Sequence, residues 1–442
     1  MKQSPVYNLI GIGIGPFNLG LAALLHPVKD VSAVFFDQAD GFDWHPGLML
    51  PSATLQTPFM GTDLVTMADP TSWFSFLNFL KQTDRLYPFF IRENFYMLRR
   101  EYNLYCQWAI AQLPSCRFSQ KVSRLAYRDG LYEVTVQNTQ TGDVTTWYAE
   151  KLVLGTGTQP YTPSFVNREQ LPGVIHTSAY IPNKENILEK GDLTIIGSGQ
   201  SAAEIFYDLL PETKKGLQLN WFTRADRFSP MEYSKLTLEL TSPEYVDYFY
   251  EMPPERRRKV LASQNSLFKG INYDLINEIF DNMYEMSVGG RKLNVQLNTN
   301  SELTNITSVA GSDAYTLHFN HTQQQRRFTL DTRSVVLATG YKYNEPAILS
   351  GIEERIRRTP DNLMDVHRNY TIDIHHNEIF VQNAELHTHG FVTPDLGMGA
   401  YRNSHIVNAV AGRDVYKIEK RIAYQDFGVA NVKETATDLA IL

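Results

Sequence analysis

Cysteine is scarce: Cys106 and Cys116 are the only two in 442 residues. Two are too few for a disulfide framework, and their spacing excludes a CxxC redox pair. They read as small apolar residues in a reducing cytosol. No uninterrupted apolar run reaches the ~20 residues of a membrane-spanning helix. The glycine-rich run near the N-terminus lacks the basic flank and cleavage site of a signal peptide, so a cytoplasmic protein is expected. Basic charge is also short. Lys and Arg number 41 against 48 Asp and Glu, and the net charge of −7 gives no footprint for nucleic acid. The one basic cluster, Glu255 to Lys259, reads as a solvated helix face. Low-complexity linkers are missing, as is any Ser/His/Asp or Cys/His arrangement of a nucleophilic enzyme.

What is present is glycine at particular places. "YNLIGIGIGPFNLGLAAL" passes from a strand pattern through Gly11, Gly13 and Gly15 into helical spacing, with Pro16 suited to the first helical turn. Such a turn lets a pyrophosphate approach the backbone at a helix N-terminus. The next strand, "SAVFFD", ends in Asp37, near the spacing of roughly 20 residues expected for an acid that binds ribose hydroxyls. A second copy, "LTIIGSGQSAAEIFYDLL", places Gly197 and Gly199 in the turn and Ala203 at the third glycine position. Its following strand, "LQLNWFTR", ends in Arg224, the cation a 2′-phosphate requires, so NADPH is favoured over NADH. Two more apolar strands close in small-residue turns, at Gly155 and Gly157 and at Ala338, Thr339 and Gly340. The length fits two domains. The expected fold is doubly wound α/β with two Rossmann-like domains. An FAD-binding domain would cover residues 1–185 and 335–442, and an NADPH-binding domain residues 186–334. Within the latter, residues 228–290 would form a mostly helical segment beside the substrate. There "NYDLINEIFDNMY" carries Leu275, Ile276, Ile279, Phe280 and Met283 as an apolar stripe, with Asn272 as cap.

These motifs, together with "DGFDWHPGLMLP", "LQTPF", "LVTMADPTSWFSFLNFL", "VLATGY" and "NAELHTHG", resemble the siderophore-biosynthesis N-hydroxylating flavoprotein monooxygenases, from about Asn8 to about Asn408. The resemblance implies FAD and NADPH as cofactors. It implies hydroxylation of a small-molecule primary amine with O2 through a flavin C4a-hydroperoxide, with no side chain needed as nucleophile. It implies Gly11, Gly13, Gly15, Pro16, Phe17 and Asn18 around the FAD phosphates and Asp37 at the ribose. Trp44, His45 and Gln56 would line the flavin, with Val122 at its adenine and Thr388, His389, Gly390 and Leu396 over its ring system. On the NADPH side it implies Gly197, Ser198, Gly199, Gln200, Ser201 and Arg224, with Thr339, Gly340 and Tyr341 near the nicotinamide half. The two histidines of "HTHG" have no Cys or carboxylate set beside them, so no metal site is expected. A homo-oligomer, a tetramer by resemblance, is a further expectation. Baeyer–Villiger and sulfur-oxidising relatives would carry Phe-x-Gly-x-x-x-His where this chain has "LPGVIHTSAY".

One departure bears on the substrate. Family members acting on lysine or ornithine read Phe-Leu-Lys-Asp-Leu-Val where this chain reads "FMGTDLV", so Gly61 and Thr62 stand where a lysine would pair with the substrate carboxylate. Two asparagines of ornithine enzymes fall on Leu238 and Leu267. An unpaired buried carboxylate costs several kcal/mol. The expected substrate is therefore a decarboxylated amine: putrescine, cadaverine or histamine. Met60, Thr62, Leu238 and Leu267 would line its pocket, and Glu239 or Asp63 are candidate anchors for a far ammonium. The alternatives are lysine or ornithine, with Lys81, Lys235 or Lys269 supplying the charge, and a non-catalytic FAD/NADPH-binding sensor.

Overall fold

The structure is a computed structural model and describes residues 5–167 and 169–429. Its first strand, Val6–Ile12, is overlaid with apolar side chains on both faces and pairs in parallel with Ala33–Phe36 and with Val144–Leu154. Such double burial is what a central parallel strand requires. Cys116–Arg117 and Ile379–Val381 extend this sheet in parallel, and Leu131–Asn138 and Gln120–Arg128 extend it antiparallel, giving seven strands among the described residues. The helix Pro16–Leu25 packs on one face with Leu19, Leu21, Leu24 and Leu25 buried.

A second sheet is wholly parallel in the order Val295–Asn298, Gln218–Phe222, Asp192–Ile196, Val335–Leu337, Val174–His176. Its glycine turn opens the helix Gln200–Leu209, which buries Ala202, Ala203, Ile205, Phe206 and Leu209. This corrects the expected domain limits. Val174–His176 lies before residue 186 and Val335–Leu337 after 334, yet both hydrogen-bond in the second sheet, because parallel strands recruit neighbours by crossover and not by sequence adjacency. The chain passes between the sheets twice, at Thr158–Pro160 and Tyr341–Tyr343, and these two segments pair antiparallel with each other.

Residues 228–290 are mostly helical, as expected: Lys235–Leu238, Pro243–Glu251, Pro254–Ser263, Asn265–Phe268 and Tyr273–Ser287. Asn272 caps the last of these by accepting from Asp274 N. Ile279 is buried, but Phe280 is 64% exposed and does not belong to the inward stripe. The helix carrying the basic cluster, Pro254–Ser263, buries no residue. Cys106 is buried and Cys116 half-buried, and burial pushes the Cys116 thiol up to about 12. Among the described residues no helix is long and apolar enough to cross a membrane.

Candidate active site

Both glycine turns are shaped for nucleotide. Gly13 has φ +90, and a Cβ there would sit 2.4 Å from Gly155 O; at Gly197, with φ +140, it would sit 2.2 Å from Ala338 O. Gly15 and Gly199 are the N-caps of their helices, and neither helix has a side-chain cap or an acid in its first turn. The first-turn N–H groups are therefore left for an anion. Pro16 fills the first position of the FAD-side helix. Phe17 lies under the Arg402 guanidinium at 4.7 Å, and its carbonyl accepts from Asn403 Nδ2. Asn18 is buried, donates to Gly13 O at 2.8 Å and accepts from Gln382 Nε2 at 2.7 Å, so it fixes the loop's shape. Gly11 lies directly against the Phe35 ring. Asp37 accepts from Ile14 N at 2.7 Å and Ala39 N at 2.9 Å, which places its carboxylate at the mouth of the turn. Val122 precedes a register shift in the strand Gln120–Arg128. These features fit FAD.

On the second sheet, Ser198 and Ser201 are half-buried beside Gly199. Arg224 is exposed two residues past its strand and forms no hydrogen bond or ion pair with the described residues. This arrangement fits the phosphates of NADPH. Thr339 donates to Tyr161 O at 2.5 Å, and Gly340 O accepts from Tyr161 N, so the turn is held against the inter-sheet ribbon. Tyr341 stands 3.4 Å from Nδ1 of His45, which joins the two halves of the site. Burial, reinforced by Arg99, lowers the His45 pKa to about 4, so its ring is neutral.

Between the sheets lies a cavity of about 230 Å³. It brings together Trp44, Gln56, Thr62, Leu238, Leu267 and Leu396, which are distant in sequence. Met60 does not join them; it is 57% exposed. Thr62, at the end of the short helix Phe59–Thr62, donates to Pro58 O at 2.8 Å and lies 2.6 Å from Thr57 Oγ1. Thr388 and His389 are also off the cavity wall. Thr388 Oγ1 lies 2.9 Å from His389 Nδ1, and the His389 ring stacks on Tyr370 in the interior, where burial holds it neutral. Gly390 follows with φ +81 against the Phe249 ring.

The two acids expected as anchors are engaged elsewhere. Asp63 is buried and accepts from Val65 N, Thr66 N, Thr66 Oγ1 and Phe76 N. Glu239 accepts from Tyr424 N and Gln425 N. Lys81, Lys235 and Lys269 do not line the cavity. Three charged residues not anticipated from the sequence do: Arg99, Glu232 and Asp395. Arg99 donates to Glu204 through two nitrogens, at 2.7 and 3.0 Å, and also to Leu48 O. Glu204 in turn accepts from Gln200, which accepts from Gln56 at 3.4 Å, so a polar chain links the two sheets across the site. Glu232 is exposed and accepts from Ser234 N. Asp395 accepts from Gly397 N through Oδ1 alone, and burial pushes its carboxyl up. Glu204 was within reach of sequence reasoning, one helical turn after Gln200 in "GQSAAE"; Asp395 offered only its place before Leu396.

Comparison with known proteins agrees with this geometry. Residues 5–343 match the family model described as L-lysine 6-monooxygenase/L-ornithine 5-monooxygenase. A putrescine N-hydroxylase of Shewanella oneidensis is 50% identical over 432 residues, covering 97% of this chain and 86% of that protein. A putrescine N-hydroxylase of Acinetobacter baumannii is 44% identical, covering 99% and 98%. The FAD-bound cadaverine monooxygenase of the desferrioxamine pathway of Erwinia amylovora superposes with a TM-score of 0.94 at 50% identity, covering 97% of this chain and 100% of that one. Two nucleotide cradles and a small cavity in one chain are what a flavin- and NADPH-dependent monooxygenase needs, and the chain belongs to the lysine/ornithine N-monooxygenase family.

Proposed function

We propose that the chain hydroxylates one nitrogen of an aliphatic diamine, putrescine or cadaverine, for siderophore assembly, using FAD, NADPH and O2. The carrying observation is the charge on the cavity wall. Its guanidinium, Arg99, is already held at two points by Glu204, whereas Asp395 Oδ2 has no hydrogen-bond partner among the described residues. An amino-acid carboxylate meets no free cation there, and its unpaired burial costs several kcal/mol. An ammonium meets an acceptor and restores the carboxylate of Asp395. The relatives named for putrescine and cadaverine support the same reading.

Held at the two glycine turns, FAD and NADPH would supply the reducing equivalents that activate O2 for transfer of one oxygen to the amine. The chain's own residues bind, orient and exclude water. Asp395 holds one end of the diamine as ammonium. Leu238, Leu267, Phe268 and Phe391 offer the other end an apolar wall, which favours the neutral amine over its ordinary protonated form near pKa ~10.4. Trp44 and Leu396 line the same cavity and would help to exclude water from it. Homo-oligomerisation belongs to this reading and is supported by exposed Tyr87, Phe90, Ile91 and Phe95.

The test is coupled hydroxylamine formation by FAD-loaded protein with NADPH on putrescine, cadaverine, histamine, lysine and ornithine. Product from the diamines, with Asp395→Asn raising their KM by about tenfold or more, is expected. Efficient turnover of lysine or ornithine overturns the substrate reading. NADPH binding with no product from any amine returns the chain to a nucleotide sensor.

A further inference from the structure

The helix Lys235–Leu238 buries none of its four residues, yet Thr237 and Leu238 stand on the cavity wall. A single turn of helix does not support itself. What fastens it is a surface strap far along the chain, residues 422–427. Glu239, the residue after the helix, accepts from Tyr424 N through Oε1 at 3.0 Å and from Gln425 N through Oε2 at 3.0 Å. Gln425 Nε2 returns to Glu239 Oε2 at 3.0 Å and to Leu236 O, in the helix itself, at 2.7 Å. Glu244, on the next helix, accepts from Ile422 N at 2.5 Å and Ala423 N at 3.0 Å. Two carboxylates thus gather four consecutive backbone N–H groups. Phe427 then meets Tyr245 edge-on at 5.1 Å and joins the apolar cluster of Leu267, Phe268 and Phe391, which continues the same wall.

We infer that Glu239 is a positioning residue for the amine, acting through the 422–427 strap to hold Thr237 and Leu238 against the substrate. A carboxylate suits this task because each of its oxygens takes a separate backbone donor, whereas an amide offers one acceptor. The inference rests on the amine-hydroxylase reading above. It adds that the selectivity of the wall is set partly from the outer surface, by a residue that does not touch substrate.

The test uses full-length, FAD-loaded parent, Glu239→Ala, Glu239→Gln and Glu244→Ala. Expected results are a rise in amine KM of about tenfold for Glu239→Ala and a smaller rise for Glu239→Gln, with faster amide exchange at residues 424 and 425 in these variants and at residues 422 and 423 in Glu244→Ala. The rate of flavin reduction by NADPH without amine stays within about twofold of the parent. In the parent, saturating putrescine slows exchange at residues 424 and 425, a measurement that needs no variant. Freed strap amides with an unchanged KM overturn the inference, as does strap exchange indifferent to putrescine in a parent that hydroxylates it. A parent that hydroxylates no amine overturns the functional reading itself, and the inference with it.

Discussion

Gly13 and Gly197 occupy equivalent places in two copies of one turn, and each is closed to a side chain by a backbone carbonyl. Gly13→Ala combines a positive φ, costing roughly 1–2 kcal/mol, with an overlap against Gly155 O that backbone must relieve. The expected outcome is protein purified with little flavin, read from the ratio of 450 to 280 nm absorbance. Arg224→Ala removes the exposed cation beside the second cradle. It should raise the KM for NADPH by about tenfold or more and leave that for NADH nearly unchanged. Histidine sets a third expectation. His45 and His405 are both pushed down to about 4, chiefly by burial. Their stabilising effect is complete above the ordinary value near 6.5 and is lost as pH falls toward about 4, by up to about 1.4 kcal/mol per pH unit for each. Denaturant midpoints measured from pH 8 to pH 4.5 should fall across that window, and His405→Gln, if it folds, should flatten the slope. The glycines and Arg224 were legible in the sequence because their demands are local to one turn. Arg99 and Asp395 were not, because a charge on a helix or loop has no role until the cavity around it exists.

At the level of elements, the legible parts were those long enough to show a period: the buried parallel strands, the two glycine helices and Tyr273–Ser287. The helices Phe59–Thr62 and Lys235–Leu238 span a turn each, too short for periodicity, and both line the site. Membership of a sheet was equally hidden, since Val174–His176 and Val335–Leu337 carry no mark of which sheet will pair with them. The ion pair joining the helix Arg99–Ile110 to the helix Gln200–Leu209 has side chains only 11% and 5% exposed. Removing one partner of such a pair costs about 3–5 kcal/mol. Glu204→Gln is therefore expected to lower stability and to free the Arg99 charge on the cavity wall. Its ratio of lysine to putrescine kcat/KM should rise above the parent's, and an unchanged ratio would show that Arg99 does not face the substrate.

At the level of the whole molecule, the second sheet is an insertion in the chain of the first, and its two ends are the paired strands Thr158–Pro160 and Tyr341–Tyr343, with Tyr341 opposite Pro160. Ends that meet make the intervening segment a replaceable cassette. It carries Arg224, which on the reading proposed above would hold the 2′-phosphate of the reductant, and also Leu238 and Leu267, which line the cavity proposed for the amine. A relative's cassette spliced at these two strands should transfer both preferences in one step, and a chimera that inherits only one would show that the amine is read mainly from the flavin side. On that reading, reductant choice and substrate choice, chemically unrelated, would be inherited as one trait.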